Sequence, residues 1–285
     1  MRLATVGVTA DARDEGARRI TSPPSVAGGV PADRRRRGQS RSVARVVLAA
    51  CAIASLSVAA PSAQASGMYL ASRSMGYDVS WPNCGVSAPA RQFAIVGVTG
   101  GHPFSANPCL AVEFAAARRG RSAQLYMNIT APNGNTVGTG RSGPAGTCSP
   151  VAVLCRAYNY GFNAARAAFL YAVRRLGPVA EHTGWWLDVE FTVRWSRSTS
   201  VNARSIAGAL AFLRTRGLGA GIYSTSYQWR HIAGAYHPHV PVWYATAYGT
   251  ADGARVHCTA SNGFTGGPVR MVQYTPAGLD ADTIC

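Results

Sequence analysis

Residues 185–191, Trp185-Trp186-Leu187-Asp188-Val189-Glu190-Phe191, set two carboxylates two positions apart inside an otherwise apolar run. A short apolar run of this kind reads as a strand with both faces buried. The segments around it decide what kind of sheet it joins. Before it, residues 157–176 place apolar side chains at helical spacing and stop at Gly177. After it, a helix is expected over about 201–216, ending at Gly217, then a strand at 219–224 and a short helix near 226–233.

The same alternation runs through the rest of the chain. GYDVSW (76–81), FAIVGVTG (93–100) and AQLYMNI (123–129) read as strands, with a helix over 107–120 that Asn107 caps and Gly120 ends. PVWYATAY (241–248) and RMVQY (270–274) supply two more strands. Residues 130–150, rich in Gly, Pro, Ser and Thr, read as one long loop. Strands alternating with helices imply an α/β fold with a parallel core. The expected architecture is an irregular (β/α) TIM-like barrel, with short or missing later helices. An open doubly wound sheet is the other arrangement, but no GxGxxG follows the first strand.

The 285 residues divide into a leader, 1–65, and a single barrel domain, 66–285. Residues 34–45 are strongly basic, 46–60 are an apolar run, and Ala63-Gln64-Ala65 fits a small-x-small cleavage site near 65/66. That is the order of a secretory signal, and the run is too short for a spanning helix. The expectation is a secreted or wall-associated protein with no stable membrane insertion after cleavage. The acids and the Pro pair in the first 30 residues suit a signal poorly, so a translation start at Val30 or Val43 is expected.

All 28 basic residues are Arg, against 12 acids, for a net charge of +16. The Arg are scattered rather than gathered in a recognition element, so nucleic acid is not the expected partner. The charge favours adsorption to anionic polymers, weakened by salt. Six Cys lie beyond the leader: Cys84, Cys109, Cys148, Cys155, Cys258 and Cys285. An even set in an exported chain points to disulfides. Proximity favours Cys148–Cys155; Cys84–Cys109 and Cys258–Cys285 complete one of the fifteen possible connectivities. No CxxC occurs, and His237-Pro238-His239 reads as an exposed loop, so no metal and no cofactor is expected. No GxSxG occurs either.

Chemistry is left to the acids. Residues 66–285 hold eight: Asp78, Glu113, Glu181, Asp188, Glu190, Asp252, Asp280 and Asp282. In a parallel barrel the reactive end is the C-terminal end of the strands. Asp78 and the Asp188/Glu190 pair fall there, and Asp280 and Asp282 follow what reads as the last strand. Side chains at i and i+2 of a strand share a face, about 6.5 Å apart along the backbone. Two such carboxylates in a partly apolar site do not ionise independently, which leaves one protonated and one charged near neutral pH. Glycosidic bond cleavage uses that combination. Taken alone, the pair fits equally well a structural role holding an Arg such as Arg194.

Five segments in order, GYDVSW, WWLDVEF, GIYSTSYQW, VWYATAY and VQYTPAGLDAD, resemble the family 25 glycoside hydrolases, the muramidase-type lysozymes, over roughly 76–285. The resemblance implies hydrolysis of the β-1,4 bond between N-acetylmuramic acid and N-acetylglucosamine in peptidoglycan, by a monomer without cofactor. Carried over by position, Glu190 is the general acid/base. Asp188 is its partner, as nucleophile or as the group orienting the substrate's N-acetyl, and Asp78 and Asp280 flank them. Tyr126 matches the family's third-strand Tyr. Tyr223 and Trp243 suit sugar stacking, and Asp282 joins them as a substrate-binding candidate.

The chain also departs from the family pattern. Its second strand, VGVTGGHPF, has neither the Lys nor the acid usual there, and the third reads Tyr126-Met127-Asn128 in place of Tyr-His-Phe. The VTGGHPF segment is similar to a related group of exported glycoside-hydrolase-like barrels. These departures keep a second function open: a non-catalytic barrel that binds cell-wall glycan on the hydrolase scaffold.

Overall fold

The computed structural model describes residues 70–285 apart from 88, 120, 133–138 and 277. The leader, its cleavage site and the start of the barrel domain at 66 lie outside the described residues. In chain order the elements are β1 (Met75–Val79), β2 (Phe93–Gly97), α1 (Leu110–Ala117), β3 (Ser122–Asn128), β4 (Ser142–Gly143), β5 (Gly146–Thr147) and α2 (Val153–Leu176). They continue with β6 (Trp185–Asp188), α3 (Thr199–Thr215), β7 (Ala220–Ser224), α4 (Ser226–Ala233), β8 (Val242–Ala245), α5 (Ala251–Arg255), β9 (Val269–Tyr274) and β10 (Ala281–Ile284).

Eight strands close a barrel in the order β1-β10-β9-β8-β7-β6-β3-β2. Seven run parallel, as the alternation of strands and helices requires. The eighth, β10, is antiparallel to both β9 and β1. The barrel is therefore irregular as expected, but not the all-parallel TIM type. β10 corrects the sequence reading: Asp282 does not follow the last strand but lies within it. The segment Ala281-Asp282-Thr283-Ile284 carries no strong strand pattern, and it is extended because the open edges of β9 and β1 both pair with it.

Period-2 alternation divides each strand between two cores. Trp185 and Leu187 of β6 face outward, into the layer shared with α2, α3 and their neighbours. Trp186 faces inward, where it meets Phe93, Ile95, Trp243 and Met271. A side chain on Gly221 of β7 would place its Cβ 2.2 Å from the Trp186 ring, so the absence of one is what admits the indole. Helices α2 and α3 meet the same way at Gly161 and Gly208. A Cβ there would lie 1.8 Å from the Ser205 carbonyl oxygen and 2.0 Å from that of Tyr158. Because backbone rather than a flexible side chain is met, Gly161→Ala forces the helices apart, at a cost of about 1–3 kcal/mol.

Three local expectations change. The 130–150 segment contains the β4–β5 hairpin, whose Ala145 N–H donates to the Asn159 side chain of α2 at 2.9 Å. Helix α2 starts at Val153, earlier than its apolar spacing begins. Helix α1 starts at Leu110 with Cys109 as its N-cap. Asn107 still serves that end, since its Oδ1 accepts the Cys109 N–H at 2.9 Å while its amide donates to Gly97 O and Glu113 Oε2, both at 2.7 Å.

The disulfides are Cys84–Cys109, Cys148–Cys155 and Cys258–Cys285. The first joins the turn after β1 to the start of α1, the second pins the hairpin to α2, and the third ties the C-terminus to the loop after α5. With separations of 25, 7 and 27 residues, chain entropy gives about 3.5, 2.5 and 3.5 kcal/mol respectively. Bonds of this number are consistent with an extracellular protein. Among the described residues, no helix is long and apolar enough to cross a membrane.

Candidate active site

The barrel mouth is built where the parallel strands end. Asp78 sits near the end of β1, Asn128 ends β3, Asp188 ends β6, and Tyr223 and Gln273 lie near the ends of β7 and β9. Because β10 runs the other way, its beginning lies at that same rim. Asp280, just before β10, therefore joins the mouth, and Asp282 points into the barrel one layer below. The Asp280 carbonyl accepts the Asp78 N–H at 3.2 Å, which fixes the two segments together.

Glu190 lies two residues beyond the end of β6, so the strand geometry assumed for the pair covers Asp188 alone. The backbone nevertheless stays in line, because Val189 N–H donates to Tyr223 O at 2.9 Å and the Val189 side chain is buried outward. Helix α4 holds Glu190 through Gln228, whose amide donates to Glu190 Oε1 at 3.1 Å. The same Gln228 accepts the Phe191 N–H at 2.6 Å, and Trp195 Nε1 donates to Glu190 O at 2.7 Å.

Asp188 is buried, and its Oδ2 accepts from the Asn128 amide. Thr99 fixes that amide, donating from its hydroxyl to Asn128 Oδ1 at 2.6 Å and accepting the Asn128 N–H at 3.0 Å. Asp188 Oδ1 has no hydrogen-bond partner. On the far side of the mouth, Gln273 Nε2 donates to Asp78 Oδ2 at 2.9 Å, and Tyr223 donates its hydroxyl to Gln273 Oε1 at 2.8 Å.

Five acids thus share one end of the barrel, and among the described residues neither salt bridge includes any of them. Arg194 is not their partner; its carbonyl accepts from the Thr130 hydroxyl at 2.5 Å instead. Without a cation, burial dominates and disfavours the charged form. Desolvation lifts Asp78 to about 7, the Gln273 hydrogen bond opposing and the charge of Asp280 adding. Asp188 is pushed well above the usual carboxylate range by burial, then by Glu190 and Asp78. Glu190 is raised by burial against the pull of Gln228, and Asp280 is raised by desolvation.

Asp282 is 0% exposed, and its Oδ1 accepts the Trp243 indole N–H at 2.8 Å. Its Oδ2 has no hydrogen-bond partner, and the carboxyl lies against that of Asp78. Two carboxyl oxygens meet favourably only when one carries a proton. Burial and the neighbouring Asp78 charge push Asp282 well above its ordinary range, so it is the neutral partner.

Two sequence assignments need correction here. Trp243 is 1% exposed, its ring 4.4 Å from that of Tyr223 and 6.0 Å from that of Tyr126. It forms the floor of the site rather than a sugar platform, because the inward position it occupies on β8 is one layer below the rim. Asp282 is sealed beneath Asp78 for the same reason and has no exposed surface to offer a ligand. Tyr126 and Tyr223 are half-buried; both phenols are held well above their ordinary pKa, by burial first and then by the surrounding acids.

Sequence reasoning missed Asn128, Thr99, Gln273 and Gln228. Gln273 left a trace as a polar inward position in Val272-Gln273-Tyr274. Asn128 stood out only as a departure from a pattern. Gln228 reaches Glu190 from another element and left no local signal. The pair Thr99–Asn128 shows that the altered second and third strands are matched to each other around Asp188.

Residues 178–262 match the family model described as Lysozyme-like protein 1. No curated protein matches the chain. Among solved structures, a muramidase from Acremonium alcalophilum is 18% identical with a TM-score of 0.50, covering 75% of this chain and 94% of its own. A bacterial lysozyme from Streptomyces coelicolor is 17% identical with a TM-score of 0.49, covering 75% and 93%. A glycosyl hydrolase 25 of Streptococcus pneumoniae is also 17% identical with a TM-score of 0.49, covering 74% and 87%. The chain is lysozyme-like in sequence over 178–262 and has a muramidase-type barrel, in agreement with the resemblance carried by its five motifs.

Proposed function

We propose that the protein is an exported glycoside hydrolase of the muramidase type, which cleaves the β-1,4 bond between N-acetylmuramic acid and N-acetylglucosamine in peptidoglycan. The observation that carries this reading is the gathering of Asp78, Asp188, Glu190, Asp280 and Asp282 at one barrel mouth with raised proton affinity and, among the described residues, no salt bridge to any of them. Such a set keeps a proton available near neutral pH and presents negative charge to an oxocarbenium-like transition state.

Glu190 is the proton donor. It lies on the open side of the pair, half-buried, with one amide donor and a raised pKa. Asp188 is its partner from below. The Asn128 amide on one oxygen supports the anion, and the second oxygen has no hydrogen-bond partner to compete for its charge. The two acids lose protons as a coupled pair, so the arriving sugar rather than the free protein sets which of them is charged. Asp78 and Asp280 line the opposite wall, where they add negative potential and accept hydroxyl hydrogen bonds. The leader read at 1–65 provides the route to the wall.

The experiment is release of reducing ends from purified peptidoglycan by the protein and by Glu190→Gln. Release by the wild type, lost in the variant while binding persists, is expected. Binding by both with release by neither establishes the non-catalytic wall-binding barrel instead.

A further inference from the structure

The molecule carries a second aromatic group that the site does not use. Phe191 is 51% exposed and Tyr227 is 59% exposed, and His231 stands exposed beside them. Their rings touch: Phe191 and Tyr227 have centroids 6.1 Å apart at 87°, and Tyr227 and His231 are 4.2 Å apart. Exposed rings that pack on one another and not on the core gain little for folding, whereas they form a ready apolar surface.

Their position ties them to the reaction. Phe191 follows Glu190 directly, and Tyr227 precedes Gln228, the residue that bonds both the Glu190 carboxyl and the Phe191 N–H. The group is thus held in register with the proton donor by one amide side chain. It rises from the ends of β6 and β7. In the closed barrel these strands lie three steps from β1 by one route and three from β10 by the other. The group therefore stands across the mouth from Asp78 and Asp280.

We infer that Phe191 and Tyr227, with His231 behind them, form a sugar-binding platform for the part of the glycan that leaves with the proton from Glu190. An N-acetylhexosamine ring has an apolar C–H face that fits an aromatic ring and a polar edge that fits the Tyr227 hydroxyl and the His231 imidazole. The side follows from the donor: the proton goes to the glycosidic oxygen, so the sugar beyond that oxygen lies on the Glu190 side, away from the Asp78 wall. This inference rests on the hydrolase reading above. A second copy of the chain is the rival occupant of the same rings.

The test measures reducing-end release against peptidoglycan concentration for wild type, Phe191→Ala, Tyr227→Ala, the double variant and Tyr227→Phe. Val256→Ala, at an exposed residue two positions before Cys258, whose disulfide to Cys285 lies beyond the far end of β10, serves as control. The double variant is expected to raise KM about tenfold, equivalent to roughly 1.4 kcal/mol, with kcat within about twofold. Each single variant is expected to fall between, and Tyr227→Phe, which keeps the ring but loses the hydroxyl, to raise KM by only about threefold. Both rings are exposed, so the single variants decide the matter if the double variant does not fold. An unchanged KM overturns the platform, as does a loss confined to kcat, which makes the rings positioning groups for Glu190. A sedimentation shift to monomer in the double variant with wild-type KM assigns the rings to a second copy. A wild type that cleaves while the variants keep its KM refutes the platform alone. A wild type that neither cleaves nor binds peptidoglycan removes the hydrolase reading and the platform together.

Discussion

Two layers of the same barrel, one side chain apart, obey opposite rules. On β6 the inward position goes from Trp186 to Asp188 and on β9 from Met271 to Gln273, while on antiparallel β10 Asp282 lies between the two layers, above Ile284. The lower layer is dry packing, with Trp186, Trp243, Phe93, Ile95 and Met271 in mutual contact. The upper layer holds acids, Asp78 and Asp188 among them, whose charge the surrounding protein disfavours. The strands alternate identically in both, so the pleat alone does not separate scaffold from site. What separates them is whether the side chain lowers the energy of the folded chain or raises it for a chemical purpose.

This contrast predicts that a substitution in one layer affects what the other layer leaves alone. The largest effect belongs to Glu190→Gln. Loss of the proton donor is expected to cut reducing-end release by roughly 10²–10⁴-fold while the melting temperature holds or rises. A clear drop in melting temperature with retained activity reverses the assignment of the two layers. Next comes Trp186→Ala in the lower layer. It removes an indole packed against Trp243, with centroids 5.9 Å apart, and its 2.5 Å donation to Gln124 Oε1. Chemical denaturation is expected to show a loss of about 3–5 kcal/mol, with activity falling only as the folded fraction falls.

A smaller effect concerns pH. Asp78 has its folded pKa at about 7, above the ordinary value of 3.8. Between those values the folded chain keeps a proton that the unfolded chain has released, so folding is favoured at the acid end. The contribution is fully present below about pH 4 and is lost as pH rises through about 7. Asp188 and Asp282 are raised for the same reason and add to the decline. Melting temperature is therefore expected to decline from pH 4 to 8, and Asp78→Asn to flatten the decline. A rise over that range would show that cations, not burial, govern the acids.

The same contrast explains what the sequence disclosed. Strand and helix order was legible because β1–β3 and β6–β9 carry apolar runs and Gly stops, and α4 fell where it was expected, at 226–233. Parity made disulfides legible and proximity singled out Cys148–Cys155, but Cys84–Cys109 and Cys258–Cys285 were one choice among three that spacing did not decide. β10 was not, because its extended state comes from two neighbouring strand edges rather than from its own residues. Asp280 was placed at the rim by supposing that it followed the last strand, and it lies there because β10 runs backwards. Trp243 was misplaced since residue type gives no depth: one position along β8 decides whether an indole meets sugar or Asp282. Phe191 was visible in the opening stretch as an apolar residue directly after an acid, but its exposure depends on where β6 stops.

The smallest expected effect is the most telling about the boundary between the layers. Asp282 sits at their junction, accepting from the Trp243 indole below and lying against Asp78 above. A neutral acid there gives its proton to the Asp78 carboxyl, and an amide offers an N–H in the same place. Asp282→Asn is therefore expected to keep kcat within about threefold at pH 6, equivalent to about 0.65 kcal/mol in barrier height. It is also expected to raise the melting temperature above pH 7, where wild-type folding is opposed by the raised carboxyls. Asp282→Leu, which offers no donor, is expected to lose activity and to shift the acid limb of kcat/KM. If the Asn variant loses as much activity as the Leu variant, Asp282 works as an anion. The line between packing and chemistry then runs one layer deeper, through Trp243.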